Sequence, residues 1–164
     1  MAHYRCATEW QVQAPVDRVW DAILDYRGWP SWWKGFTTVE QLRAGEESGV
    51  GTVLRQAWRS LLPYTLTFDL EITGIERHRR LEGRTSGDVA GTCTWTFETE
   101  GECTTVRFLM DVRTTRWWMN LPVPFAGRIF AANFHAVMRW GSQGIARLLG
   151  TGATFQTANA LASG

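Results

Sequence analysis

Residues 65–73 alternate without interruption, with Leu66, Phe68, Leu70 and Ile72 on one face and Thr65, Thr67, Asp69, Glu71 and Thr73 on the other. Only extended backbone sends every second side chain to the same side, so this segment reads as a strand with one buried face. Near its C-terminal end the chain switches period. From Phe125 to Leu149, 100° spacing puts Phe130, Phe134, Val137, Met138, Gly141, Ile145 and Leu148 on one stripe, with Arg128, Arg139 and Gln143 opposite. That is one long amphipathic helix. A sheet apolar on one face must cover that face, and no other element is long enough to do it.

The remaining segments fit the same scheme. Tyr4, Cys6, Trp10 and Val12 alternate with Arg5, Glu9, Gln11 and Gln13 in a first strand. Pro15, expected at a first helical position, precedes Val16, Val19, Trp20, Ile23 and Leu24, an amphipathic helix of about three turns. Gly28 and Pro30 break it, and Trp29 to Trp33 forms a further short helical turn. Strands follow at Val39–Leu42, Thr52–Arg59, Arg80–Ser86, Thr92–Thr99 and Thr104–Thr114, separated by turns rich in glycine and acid. The expected class is α+β: a curved antiparallel sheet of about six to seven strands wrapped around the C-terminal helix, with two short helices after the first strand. Residues 1–150 form a single domain in this reading. Residues 151–164, rich in Ala, Thr, Ser and Gly, are expected to fray.

Ten tryptophans are more than a core of this size needs. Trp29, Trp32 and Trp33 crowd one segment and Trp117 and Trp118 another; Trp10, Trp20, Trp58, Trp95 and Trp140 are scattered. A curved sheet gripping one helix leaves space between them, and surplus aromatics would line that space as walls and rim. The alternative is a bulky core with partly exposed aromatics.

Composition excludes several classes. The net charge of +1, with Lys34 the sole lysine, gives no field to attract nucleic acid. The run Arg77–His78–Arg79–Arg80 lacks interleaved aromatics and reads as a solvent-facing turn. Cys6, Cys93 and Cys103 have neither paired nor metal-ligand spacing, so neither disulfides nor a metal site is expected. Reduced thiols, no signal-like apolar core and no apolar run of membrane-span length suggest a cytoplasmic chain without integral membrane association. A monomer or weak homodimer is expected, and no cofactor.

No nucleophile elbow, phosphate loop or dinucleotide fingerprint is present. Candidate polar groups for a cavity are therefore isolated. Tyr64 shares the parity of Leu66 and Phe68 and is the best of them. Arg55 and Arg59 lie on a strand whose inward face is ambiguous, because Val53 and Leu54 are both apolar. Asn133 and His135 flank the helix stripe on opposite sides. Gly141 and Gly144 each cost a helix about 1 kcal/mol relative to alanine, which signals a close approach by sheet, tryptophan or ligand. Cys93 has no positive neighbour to make it a thiolate and reads as a small core residue.

The opening "APVDRVWDAILDYRGWPSWW", the strand pair "SGDVAGTCTWTFE" and the helix "NFHAVMRWGSQGIARLL" resemble the polyketide cyclase/dehydrase branch of the START-like (SRPBCC, Bet v 1-like) superfamily. The resemblance runs from about Tyr4 to Gly150. It implies a helix-grip fold with a deep cavity between sheet and C-terminal helix that takes an apolar small molecule. Trp10, Trp33, Tyr64, Phe68, Trp95, Phe97, Met110, Trp118, Phe130, Phe134, Met138 and Gly141 are the expected lining. Aromatase/cyclases of this superfamily carry ordered aromatic, serine, arginine and tyrosine residues on adjoining strands. Here Arg55, Trp58, Ser60 and Tyr64 supply those residue types without an aligned spacing. The expected function is hydrophobic ligand binding. The alternative is a cofactor-free cyclase, aromatase or dehydratase, with Tyr64, Arg55, Asn133 and His135 as candidate catalytic groups. A partner-binding patch at Trp117 and Trp118 is a further reading.

Overall fold

Strand β1 (His3–Val12) lies inside the sheet rather than at its edge, because both the seventh strand and the chain's last strand pair with it. The computed structural model describes residues 3–60, 65–115 and 126–158. After β1 come α1 (Val16–Leu24), a 3-10 turn (Tyr26–Gly28) and α2 (Trp29–Trp32). Then follow β2 (Phe36–Arg43), β3 (Val53–Arg59), β4 (Thr65–Glu76), β5 (Arg80–Gly87), β6 (Val89–Glu100) and β7 (Cys103–Thr114). The long helix α3 (Ala126–Leu149) and β8 (Ala153–Ala158) complete the order.

The eight strands form one antiparallel sheet in the order β2-β3-β4-β5-β6-β7-β1-β8. Antiparallel strands next to each other in sequence need only short turns, which explains the meander from β2 to β7. The expected alternation is present: Phe68, Leu70 and Ile72 of β4, Cys93, Trp95 and Phe97 of β6, and Val106, Phe108, Met110 and Val112 of β7 are all buried. On β3 the ambiguous parity resolves toward Leu54, Gln56 and Trp58 inward, with Arg55 and Arg59 outward. On the outer face Arg55 forks onto Asp69, 2.8 and 3.0 Å away. Arg107 likewise bridges Glu9 and Glu98.

Several expectations are corrected. Residues 153–158 do not fray but add an eighth strand, with Phe155 opposite Trp10 on β1. Pro15 is the N-cap of α1 rather than its first residue; its φ of −64° still presets the turn into the helix. Leu148, placed on the buried stripe, is 49% exposed, because the stripe drifts off the sheet in the last turn. His78 does not face solvent: it is half-buried edge-on against Trp20, at a φ of 63° that tightens the β4–β5 turn.

Helix α3 lies against the concave side of the sheet, and α2 is wedged beside it. Two glycines make that wedge possible. A Cβ at Gly141 would stand 2.5 Å from Trp33 Cε2 and 2.6 Å from Trp10 Cζ2. One at Gly144 would meet the Trp32 carbonyl oxygen at 1.9 Å. The indole N–H of Trp33 donates to the Val137 carbonyl of α3 at 2.8 Å, which fixes the crossing. No helix among the described residues is long and apolar enough to cross a membrane.

Candidate functional site

Between the sheet and the helices lie adjoining apolar chambers. The outer one is lined by Trp58, Ser60, Leu66, Phe68, Val89, Met110, Phe130, Asn133, Phe134 and Val137. The inner one lies behind Trp58, Phe68 and Met110, which belong to both. Its other walls include Trp29, Trp33, Phe36, Trp95, Phe108 and Met138, together with Gln56 and Thr85. A third, smaller space shares Trp29, Leu70, Cys93 and Trp95 with the inner one and is bordered by Tyr26 and Glu82. Strand parity builds this lining: an inward face needs a turn or a helix above it, and where α3 stands away from β3–β5 the gap stays open.

The aromatic walls hold one another edge to face. Trp33 meets Trp10, Trp95 and Phe36 at centroid distances of 5.2, 5.9 and 4.7 Å. Trp58 meets Phe36 and Phe68 at 5.1 and 5.2 Å. Such pairs are worth about 0.5–1.5 kcal/mol beyond area burial, so the walls form a rigid frame.

Polar groups in the lining are few and mostly not titratable. Ser60 Oγ donates to Asn133 Oδ1 at 2.6 Å in the outer chamber. In the inner chamber Gln56 and Thr85 are 2% and 3% exposed. Gln56 Oε1 accepts from Trp58 Nε1 at 3.2 Å, while Gln56 Nε2 and Thr85 Oγ1 have no protein partner. A buried donor without a partner costs about 1–3 kcal/mol. Cys93 reaches the wall, but burial pushes its thiol up to about 12, far from nucleophilic use. Cys6 is held at about 11 for the same reason.

The expected site residues separate into three sets. Trp33, Phe68, Trp95, Met110, Phe130, Phe134, Met138 and Asn133 line the chambers. Trp10, Phe97 and Gly141 do not line these chambers. Trp10 and Gly141 sit in the contact of β1 and α3, and Phe97 packs edge-on against Trp20 at 5.0 Å. Arg55 points away on the outer face. His135 stands at the flank of α3 beside Phe134; burial, with the nearby Arg139 charge, lowers its pKa below the usual value. Tyr64, Trp117 and Trp118 lie outside the described residues. The Trp29–Trp33 cluster, expected at the rim, is buried: Trp29 and Trp33 form inner wall and Trp32 packs under α3. Sequence reasoning does not find Gln56 and Thr85. Their one signal is parity, since Gln56 lies between Leu54 and Trp58 at two-residue spacing.

Among the described residues no cluster of His, Cys, Asp or Glu could hold a metal ion. The arrangement can seat an apolar molecule and orient it by hydrogen bonds.

Residues 5–150 match the family model described as polyketide cyclase/dehydrase and lipid transport. No curated protein matches the chain in sequence. Solved structures match over nearly all of it. An aromatase/cyclase from Streptomyces sp. R1128 is 18% identical, with 88% of this chain and 92% of that one covered and a TM-score of 0.72. A START superfamily protein from Mycobacterium smegmatis is 13% identical, over 91% and 98% of the two chains, with a TM-score of 0.73. A protein from Thermus thermophilus is 21% identical, over 88% and 99%, with a TM-score of 0.70. At these identities the likeness establishes the helix-grip fold.

Proposed function

From the chain's membership of the polyketide cyclase/dehydrase (SRPBCC, START-like) family, we propose that it binds an apolar small molecule, aromatic, polycyclic or lipid-like, between sheet and α3. One observation carries this reading: the two chambers adjoin at Trp58, Phe68 and Met110, which line both, and their walls are aromatic and aliphatic apart from a few buried hydrogen-bonding groups. An enclosed apolar space with sparse, fixed polar groups is the usual form of a small-molecule site. The free thiols of Cys6, Cys93 and Cys103 support a reducing, cytoplasmic setting.

The neutral dye N-phenyl-1-naphthylamine tests it. Saturable binding at one molecule per chain, followed by dye fluorescence and native mass spectrometry, is the expected result. Leu66→Trp, which fills the outer chamber, should weaken binding at least about tenfold while the far-UV spectrum is unchanged. Unsaturable uptake, or uptake indifferent to Leu66→Trp, would defeat the proposal.

The Ser60–Asn133 pair favours a second reading, a cofactor-free cyclase, aromatase or dehydratase. A hydroxyl and an amide locked together beside an aromatic wall could hold a poly-β-keto chain bent for ring closure. Turnover of a model poly-β-keto thioester, lost in Asn133→Ala, is the outcome expected of an enzyme; aromatic product at the uncatalysed rate would leave binding alone.

A further inference from the structure

The inner chamber contains a polar feature that simple apolar binding does not require. Gln56 and Thr85 enter it from β3 and β5, with Phe68 and Leu70 of β4 between them. Trp58 Nε1 can only donate, so its bond to Gln56 fixes the amide with Oε1 toward the indole. The amide N–H₂ is thereby the free end, and it has no protein acceptor; Thr85 Oγ1 has no protein partner either. Both belong to residues that are almost wholly buried. A glutamine used for packing alone would leave an unmatched donor in the most apolar part of the fold.

The charge balance of the lining narrows what can meet them. Among the described residues, neither chamber is lined by lysine, arginine or histidine. Glu82 borders the third space and is already paired with Arg80 at 2.6 Å. A carboxylate or phosphate driven to the inner end would be an uncompensated buried charge. A neutral acceptor would not. Around the two polar groups stand Trp29, Trp33, Phe36, Trp95 and Phe108, faces and edges suited to a flat ring system rather than a flexible chain.

Resting on the binding function proposed above, we infer that the inner chamber selects a planar polycyclic ligand that enters with a neutral carbonyl or phenolic oxygen leading. That oxygen accepts from Gln56 Nε2 or Thr85 Oγ1. Fatty acids and other anionic lipids are discriminated against at this end.

The matched pair 9-fluorenone and fluorene tests this, since they differ in one ketone oxygen on the same ring frame. Tryptophan-fluorescence titration of the wild-type protein should show fluorenone binding about tenfold tighter than fluorene, the worth of one well-made buried hydrogen bond. The double variant Gln56→Leu/Thr85→Val should erase that preference, and the single variant that removes the donor in use should erase it alone. Infrared spectra of fluorenone bound to the wild type should show its carbonyl stretch lowered from its position in an apolar solvent, a readout that needs no variant, and the shift should be absent in the double variant. Equal affinity for the two probes in the wild type, or an unshifted carbonyl stretch, overturns the inference while apolar binding stands. If neither probe binds and the naphthylamine dye also fails, the binding function itself falls, and this inference with it.

Discussion

Single atoms decide the contact between α3 and the wedge beneath it. Alanine is a better helix former than glycine by about 1 kcal/mol, so an exposed Gly→Ala change in α3 would stabilise. At Gly144 the new methyl would fall 1.9 Å from a backbone oxygen that cannot rotate away. At Gly141 it would press on two indoles already held edge to face. Gly144→Ala and Gly141→Ala should therefore each destabilise, by about 1–3 kcal/mol, in denaturant unfolding. Stabilisation at either site would mean that the helix can move off the tryptophans. His135 gives a second residue-scale test. Burial and the Arg139 charge lower its pKa from 6.5, so the unfolded chain takes up a proton before the folded one does. Stability should fall as the pH drops below about 6.5, until the folded histidine protonates as well. His135→Gln should flatten that part of the profile; an unchanged slope would assign it to other groups.

At the level of elements, β8 turns an exposed strand edge into a paired one. It covers the outer side of β1, and Phe155 packs on the core with the Arg139 guanidinium 5.3 Å from its ring. Truncation after Gly150 should lower the unfolding temperature by several degrees and expose β1 to edge-to-edge association, visible as concentration-dependent mass in light scattering. A truncated chain that melts like the full one and stays monodisperse would make β8 ornamental. Nothing in the segment Ala153–Ala158 announces this role, because Phe155 is its one large apolar residue and the partner edge lies far away in sequence. Strands β4, β6 and β7 are legible because each buries one whole face, which forces strict alternation. On β3 adjacent Val53 and Leu54 obscure the parity, and a glutamine at a buried position runs against every composition rule. Much of the cavity wall and Asn133 at the edge of the helix stripe can thus be read from the sequence, whereas Gln56 and Thr85 cannot. A sequence pattern marks the residues that follow the burial rule, and a ligand-facing amide breaks it.

For the molecule as a whole, the question is whether the space beneath the sheet is a binding site or only imperfect packing. Both would look apolar, and both would tolerate aliphatic replacements. They differ in how they respond to added volume. Met110 borders the outer and the inner chamber and is itself buried, so a bulkier side chain there projects into both. In a close-packed core, overpacking forces strained rotamers and costs about 1–3 kcal/mol. In a preformed cavity the new atoms meet open space, gain contacts and leave stability level or higher. Met110→Phe should therefore unfold at an equal or higher denaturant concentration than the wild type, and bind the naphthylamine dye at least about tenfold more weakly. Stability must hold or rise while binding falls. A variant that loses stability and binding together would indicate a tightly packed interior that merely takes up dye. A variant that keeps both would place the ligand outside the space between β3–β7 and α3, and the tryptophan frame would then be core rather than wall.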